Sequence, residues 1–262
     1  MAEKKEKELR IYKITDAGPK DNEDSCYVVQ HGSCAALACM ADGVSSQSSA
    51  RHTSAFITEY VEDWYEEEGD RLFSSPAEEV TKEMIALVGD IHNDILAEAE
   101  ANPGQRYGST MDLVIMGHRK IFVAHVGDSR VYLYDGTDFQ KITEDQTVEE
   151  AEKTTGFTFN DVEERRKSHT LMQCMGAGEI TPCKYEVDIP ASCDIILCTD
   201  GLSNRLKAPD FMKELKKKQT GSDALLALVR KARSRGESDN ITAILIRRRE
   251  TRKGGAGKND RK

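Results

Sequence analysis

Long apolar runs are missing from this sequence of 262 residues. The longest one, from Cys34 to Ala41, is far shorter than the roughly 20 residues that a transmembrane helix needs. The opening segment MAEKKEKELR is charged and contains no apolar stretch of the kind that a secretory signal carries. We therefore expect a cytoplasmic protein that has no membrane partner.

Paired cysteine motifs are also missing. The seven cysteines are an odd number, none forms a Cys-x-x-Cys pair, and most lie beside apolar residues. Disulfide frameworks and zinc sites both use paired, regularly spaced cysteines. The pattern predicts small buried side chains in a protein from a reducing compartment.

The sequence offers no large basic surface either. Its formal charge is −9, and its most basic segment lies at the C-terminal end. Eight basic and two acidic residues give the segment 247–262 a charge of +6, which leaves −15 on residues 1–246. Such a charged, glycine-containing end is typical of a disordered tail. The acidic remainder argues against nucleic-acid binding through an extended basic face.

What the sequence does contain is a series of short apolar segments bounded by turn residues. Alternating or continuous β-forming residues predict strands, and apolar residues at helical spacing predict helices. Strands are predicted at 9–15, 24–30, 34–40, 109–117, 120–126, 130–134, 139–142, 184–189, 194–198 and 241–246, and helices at 48–68, 76–101 and 224–232.

The order of these elements favours one fold class. The short turn at 31–33 predicts a hairpin, and the turns within 109–142 predict an antiparallel meander. The segments 184–189 and 194–198 are predicted as a strand pair. Strands, then paired helices, then strands again favour an α+β sandwich over a doubly wound sheet. Because no linker divides the core, we expect one domain.

Aspartates stand beside turns at the ends of several predicted strands. For any single Asp-Gly pair, an ordinary turn is the simplest interpretation. Together they would place carboxylates at one mouth of the sandwich, where their charges repel unless a cation such as Mg²⁺ or Mn²⁺ neutralises them. The pattern alone leaves both interpretations open. The aspartates are Asp24, Asp42, Asp128, Asp200 and Asp239.

Seven short motifs occur in the order that is found in a known family. Together they resemble the motif series of metal-dependent protein phosphatases, the PPM or type-2C family, and especially its compact bacterial members. The resemblance extends from about Leu9 to Arg247. The motifs are Asn22-Glu23-Asp24, Ala41-Asp42-Gly43-Val44, Tyr107-Gly108-Ser109-Thr110, Val126-Gly127-Asp128-Ser129-Arg130, Thr143-Glu144-Asp145, Thr199-Asp200-Gly201-Leu202 and Ser238-Asp239-Asn240-Ile241-Thr242.

The resemblance implies a fold and a domain organisation. The fold would be an α+β antiparallel β-sandwich flanked by pairs of antiparallel helices, in α-β-β-α layers. A phosphatase domain would cover residues 9–247, between a charged tail (1–8) and a basic disordered tail (248–262). Residues 146–174 correspond to the mobile flap of bacterial relatives. A solvated helical insertion is the alternative interpretation of that segment.

The resemblance also implies an activity and a metal site. The activity would be that of a protein serine/threonine phosphatase that uses two Mn²⁺ or Mg²⁺ ions. A hydroxide that bridges the two ions would attack the phosphomonoester directly. Asp42 would bridge the ions and, with Asp200 and Asp239, activate the water, while Asp128 would bind a third, weaker ion. The implied metal ligands are Asp24, Asp42, Gly43, Asp128, Asp200 and Asp239.

The sequence departs from the family pattern at the phosphate-binding position. Relatives carry an Arg three residues before the Asn-Glu-Asp run, where this chain has Pro19. Lys20 is the nearest cation and is the candidate phosphate anchor, although it lacks the bidentate fork of Arg. A solvated loop lysine is the alternative. In addition, Ser45-Ser46 replaces a glycine pair and Gln146 replaces a histidine.

The histidines do not identify a leaving-group acid. His52, His125 and His169 are the candidates, and His125 lies in a predicted strand. We therefore expect His125 to be packed in the core or exposed at a strand edge.

By resemblance, the substrates would be phosphorylated proteins, the partner a cognate Ser/Thr kinase, and the enzyme a monomer. The main alternative is a catalytically weak relative that binds phosphoproteins, which Pro19 favours and the retained aspartates oppose. A two-metal phosphodiesterase or nuclease fits poorly because residues 1–246 are acidic and lack a basic track.

Overall fold

Two antiparallel sheets of five strands each form the centre of the computed structural model, which describes residues 5–155 and 170–252. The strands are β1 (Lys5–Asp16), β2 (Asp24–His31), β3 (Ala35–Asp42), β4 (Met111–Met116), β5 (Lys120–Val126), β6 (Arg130–Tyr134), β7 (Phe139–Lys141), β8 (Cys183–Asp188), β9 (Cys193–Cys198) and β10 (Ile241–Arg252). Sheet I has the order β1-β10-β9-β6-β7, and sheet II has the order β2-β3-β4-β5-β8.

Helices cover both outer faces of the sandwich. A π-helical turn (Tyr65–Gly69) joins α1 to α2, and α4 lies in the predicted flap, of which residues 156–169 are outside the described part. In the described ranges, no helix combines the length and the apolar composition that a membrane crossing requires. The helices are α1 (Ala50–Trp64), α2 (Asp70–Leu72), α3 (Ala77–Ala101), α4 (Val148–Thr155), α5 (Asp200–Ser203), α6 (Ala208–Leu215) and α7 (Gly221–Ser234).

The side-chain alternation of strand β3 explains the layers. This strand is buried along nearly its whole length, and successive side chains point to opposite faces of the sheet. Ala38 and Met40 therefore belong to the core between the two sheets, whereas Leu37 and Cys39 pack in the core beneath α1 and α3. On the other side, α6 and α7 cover sheet I around Phe211. The predicted α+β sandwich with α-β-β-α layers is confirmed.

Two predicted strand pairings are wrong because the chain changes sheets. The hairpin β2–β3 is present, but the predicted meander breaks after β5, since β6 pairs with β9 in sheet I. Strands β8 and β9 also lie in different sheets. Strand β8 has alternating burial, which suits an edge, whereas β9 is fully buried and lies at the centre of sheet I.

The first and last strands extend into the segments that were predicted as tails. Strands β1 and β10 pair over their full lengths, from Lys5 opposite Arg252 to Asp16 opposite Ile241. The expected domain limits at 9 and 247 therefore fall inside a sheet. Arg248, assigned to the basic tail by the sequence, is fully buried and donates hydrogen bonds to backbone carbonyls of neighbouring turns. Residues 1–4 and 253–262 lie outside the described part.

Candidate metal centre

Strand ends and turns bring the aspartates to one end of the sandwich. Asp42 ends β3, Asp200 begins α5 directly after β9, and Asp239 precedes β10. Asp128 lies in the turn where the chain crosses from sheet II to sheet I. These four side chains and Gly43 line one cavity of about 380 Å³.

Asp24 lies beside this cavity and is almost completely buried. It begins β2 directly opposite Asp42 in the strand register. Its Oδ2 atom accepts a hydrogen bond from the Thr199 hydroxyl (3.2 Å), whereas its buried Oδ1 atom has no hydrogen-bond partner among residues 5–155 and 170–252. Burial raises the pKa of Asp24 to about 6. A buried carboxylate oxygen without a donor is an available ligand for a cation.

The other carboxylates repel one another. Burial, followed by the charges of Asp24 and Asp200, raises the pKa of Asp42 well above its usual value. Burial and Asp200 raise the pKa of Asp128 to about 7, and burial and Asp239 raise the pKa of Asp200. Such a set of acids is stable in its charged form only when cations neutralise it. The donor atoms therefore fit hard divalent ions.

Among the described residues, the carboxylates do not form a closed cage for a metal ion. Within residues 5–155 and 170–252, no group of three His, Cys, Asp or Glu side chains could hold a metal ion by itself. Mg²⁺ commonly binds one or two carboxylates and keeps several waters. The arrangement thus fits ions that retain most of their water ligands.

Backbone contacts explain the Tyr-Gly-Ser-Thr motif. The Asp42 amide donates to the Thr110 hydroxyl (3.0 Å), and the Asp42 carbonyl accepts from the Thr110 amide (2.8 Å) and the Ser109 hydroxyl (3.0 Å). Gly127 has φ of +110°, and a Cβ atom there would lie 2.6 Å from the Thr110 side chain. Ser109 and Thr110 of this motif therefore contact both Asp42 and the turn that carries Asp128, and they set the position of one relative to the other.

A second set of contacts joins the loop before β2 to the loop before β10. The Asn240 side chain accepts a hydrogen bond from the Glu23 amide (2.8 Å) and donates to the Ala17 carbonyl (2.9 Å). Lys20 Nζ donates to Asp239 Oδ1 (3.0 Å), and both side chains are nearly half exposed. Lys20, the candidate phosphate anchor, therefore lies at the rim of the cavity and is hydrogen-bonded to one of the aspartates that line it, Asp239.

Arg233, near the end of α7, holds both loops and was missed in the sequence. Its guanidinium donates to the carbonyls of Asp239 (2.6 Å), Glu237 (3.2 Å) and Asp16 (2.9 Å) and to the Asp16 carboxylate (2.7 Å). Gly18 has φ of +63°, and a Cβ atom there would lie 2.8 Å from this guanidinium. No short sequence motif contains these residues, so only the structure identifies Arg233.

Gln146 takes a structural role beside the Asp128 turn. Its side-chain Oε1 atom accepts a hydrogen bond from the Gly127 backbone amide (2.8 Å), and the Gln146 backbone amide donates to the Gly127 carbonyl (2.8 Å). Nearby, the Arg130 guanidinium binds the Asp145 carboxylate through Nε (2.9 Å) and Nη2 (2.5 Å). The residue that replaces the histidine of relatives therefore anchors the turn that carries Asp128.

His125 is packed in the core, the first of its two expected placements, and it lies beside a buried acid there. It is fully buried, with Nδ1 2.7 Å from Asp112 Oδ1 and Nε2 3.0 Å from the Glu144 carbonyl. Burial opposes its charged form, but the Asp112 carboxylate and this carbonyl outweigh burial and raise the pKa of His125. The pair was foreseeable, because a β4–β5 hairpin places residues 112 and 125 opposite each other.

The remaining histidine candidates lie elsewhere. His52 is exposed and pairs with Glu98 (2.9 Å), and His169 lies outside the described residues. Ser45 and Ser46 line the cavity, and the Ser45 hydroxyl donates to the Glu23 carboxylate (2.6 Å).

Several known proteins are similar to this chain in sequence and in fold. The chain is 28% identical over 236 residues to the serine/threonine phosphatase stp of Listeria monocytogenes, covering 89% of this chain and 92% of that protein. It is 25% identical over 244 residues to the protein phosphatase PhpP of Streptococcus pneumoniae, covering 91% and 97%.

Solved structures show the same architecture. The serine/threonine phosphatase Stp1 from Staphylococcus aureus superposes with a TM-score of 0.81 at 22% identity, covering 91% of this chain and 94% of that one. The catalytic domain of the phosphatase PstP, solved in complex with two manganese ions, superposes with a TM-score of 0.74 at 22% identity, covering 93% and 99%. The sequence matches the family model described as Protein phosphatase 2C over residues 19–225. The chain therefore belongs to the protein phosphatase 2C family.

Proposed function

We propose that this chain removes phosphate from phosphoserine and phosphothreonine side chains of proteins in a metal-dependent reaction. The observation that carries the proposal is the cavity walled by four aspartates, three of which have pKa values raised by burial and mutual repulsion. Family membership supports the reaction class, since the relatives above are phosphatases by name.

The chain's own residues would hold two Mn²⁺ or Mg²⁺ ions. Asp42 and the Gly43 carbonyl would serve one ion, with Asp42 shared between the two. Asp200 and Asp239 would serve the other. Asp24, with its donor-free Oδ1 atom, would bind directly or through a water. When bound, such ions supply an activated water at neutral pH and neutralise charge on the phosphoryl oxygens.

Two further positions complete the proposed site. Asp128 faces the same cavity and would hold a third, weaker ion. Lys20, a compact cation at the rim, would bind the substrate phosphate once metal ions compete for its present partner Asp239. We expect Lys20→Ala to raise KM more than it lowers kcat, because Lys20 holds the phosphate and does not activate the water.

The setting of the enzyme is part of the same proposal. The cavity is open, and Thr170, Leu171 and Cys174 of the predicted flap line it, so the flap would contact the protein substrate. We propose a monomeric, cytoplasmic enzyme whose substrates are produced by a cognate Ser/Thr kinase. The weak phosphoprotein-binding alternative is not favoured, because every implied metal ligand is retained.

Hydrolysis of p-nitrophenyl phosphate and of phosphoserine and phosphothreonine peptides, with and without Mn²⁺, tests the activity. We expect Asp42→Asn and Asp200→Asn to lower kcat by at least about 10²-fold, because each removes an anionic oxygen ligand. Asp90→Asn, a change at an exposed aspartate of α3, serves as the matched control. Phosphopeptide binding without turnover by the wild type, or turnover in EDTA, would contradict the proposal.

A further inference from the structure

A groove at the opposite end of sheet I is lined by basic side chains that the proposed reaction does not use. The groove has a volume of about 730 Å³ and continues into a second cavity of about 300 Å³, with which it shares Leu215, Lys216 and Arg249. We call it the basic groove and define it by Arg10, Lys216, Lys217, Lys218, Arg247 and Arg249.

The basic groove is remote from the metal centre. Arg247 and Arg249 are the seventh and ninth residues of β10, which begins at the metal centre with Ile241. At about 3.4 Å per residue, these arginines lie about 20 Å or more along the strand from that end. A ligand in the groove would therefore leave the catalytic cavity free.

The strand register places like charges side by side. Arg10 of β1 lies directly opposite Arg247 of β10, and like charges in directly opposed positions are destabilising. Asp194 of β9, which is fully buried, lies directly opposite Arg247 on its other side and pairs with Arg247 (3.1 Å) and Arg249 (2.7 Å). Arg10 pairs with Glu8 (2.8 Å), and both of these side chains are about half exposed. Three arginines against two carboxylates leave these residues with a net charge of +1, and the side chains of Arg10 and Arg249 are exposed to solvent.

The connection between α6 and α7 adds three lysines to the wall of the groove, which the acidic side chain of Asp223 also lines. Lys216, Lys217 and Lys218 are exposed. Lys217 pairs with Glu214, but Lys216 and Lys218 form no ion pair with any residue of the ranges 5–155 and 170–252. A ligand carboxylate could therefore bind Lys216 and Lys218 without displacing a carboxylate of the described residues.

The shape and chemistry favour an acidic polypeptide over a nucleic acid. The elongated groove suits an extended segment. Single-stranded nucleic acids need exposed aromatic faces for stacking, but the Tyr12 ring is covered by Gly221, where a Cβ atom would lie 2.1 Å from it.

We propose that the basic groove docks a short polypeptide segment rich in Asp and Glu, independently of catalysis. The segment would lie along the β1–β10 face, with its carboxylates against Arg10, Lys216 and Lys218. The proposal does not depend on the proposed function, because no metal ligand lines the groove.

The test is fluorescence anisotropy with a labelled peptide of alternating Glu and Asp and a neutral Ser-Gly peptide of the same length. The charge-reversal variant is Lys216→Glu/Lys218→Glu. The matched control is Lys82→Glu/Lys184→Glu, which reverses two exposed lysines at another cavity that also lack ion pairs within the described residues. Both variants change the net charge by the same amount.

We expect the first variant to weaken acidic-peptide binding by at least about tenfold and the control by less than about twofold, because only nearby charges interact strongly in salt. A far-UV circular dichroism spectrum and a urea unfolding midpoint equal to those of the wild type show that both variants fold, whether or not the chain hydrolyses phosphate esters. Equal weakening in both variants, absence of acidic-peptide binding by the wild type, or tighter binding of a single-stranded RNA of matched charge overturns the proposal. A molar mass that rises with concentration and falls in the Lys216→Glu/Lys218→Glu variant also overturns it, in favour of a second copy as the occupant.

Discussion

Replacing Arg233 by Met tests whether the loops around Asp239 must be held for metal binding. The substitution keeps the length and the apolar stem but removes four hydrogen bonds, three to backbone carbonyls and one to the Asp16 carboxylate. At about 0.5–1.5 kcal/mol for each bond, we expect a loss of about 2–5 kcal/mol in the free energy of unfolding. The carboxylate bond is counted at the low end, because Asp16 is substantially exposed.

The functional effect is expected in the metal requirement. Residues that orient metal ligands typically contribute about 10–100-fold to metal affinity or activity. Arg233→Met should therefore raise the Mn²⁺ concentration for half-maximal hydrolysis of p-nitrophenyl phosphate by about that factor. Arg233→Lys, which keeps the charge but not the planar fork, should lie between Met and the wild type.

The matched control is Arg230→Met, three residues earlier on α7, where the side chain is exposed. Urea unfolding in EDTA measures the stability of each variant, and Mn²⁺ titrations of activity measure the metal requirement. If Arg233→Met is destabilised but needs no more Mn²⁺ than Arg230→Met, the argument that this guanidinium positions Asp239 is refuted.

Three other predictions concern charge, backbone clearance and burial. Because folding raises the pKa of Asp24 to about 6 and of Asp128 to about 7, the metal-free folded state binds more protons than the unfolded state. Its free energy of unfolding should therefore fall as the pH rises from about 4 to 7, by on the order of 6 kcal/mol, and Mn²⁺ should restore it at pH 7. Gly201→Ala should abolish activity, since its Cβ atom would lie 2.0 Å from a backbone oxygen, whereas Gly89→Ala, which has open space in α3, should stabilise the protein by about 0.5–1 kcal/mol in urea unfolding. Arg248→Met should lower the free energy of unfolding by about 2–4 kcal/mol, because buried carbonyls lose their donor.

Each of these predictions has an outcome that contradicts it. A pH dependence that persists in Asp24→Asn/Asp128→Asn would show that other groups cause it. An active Gly201→Ala enzyme would mean that the backbone at Asn240 can move away from the added Cβ atom with little loss of stability. A stable Arg248→Met protein would indicate that the carbonyls find other donors.

The aspartates were predictable because strand ends and turns can be read locally. Asp42 and Asp200 each follow a continuous apolar run and precede a glycine, so their position at the mouth of a sandwich requires only strand assignment. The order of strands and helices favoured an α+β sandwich, and the family resemblance implied its four layers. The family resemblance then supplied a role for each residue.

The pairing of the strands and the contacts that support the site were harder to predict from the sequence. Whether β6 continues a meander or crosses to the other sheet depends on which strand best fills the centre of sheet I, and local sequence does not encode that competition. Arg233 and Asp16 are more than two hundred residues apart, so no motif joins them. The charge of His125 likewise depends on its register with Asp112.

The pairing of β1 with β10 has a consequence for biosynthesis. Strand β10 inserts between β1 and β9, and it directly follows Asp239 and Asn240. During synthesis on the ribosome, the edges of β1 and β9 that will pair with β10 therefore stay unpaired until more than 240 residues have been made. Asp24 and Asp42 are synthesised early, but Asp239 is synthesised directly before the last strand, and such long-range closure is slow. A nascent or C-terminally clipped chain would lack a complete site, so phosphatase activity would begin only after the final strand is in place.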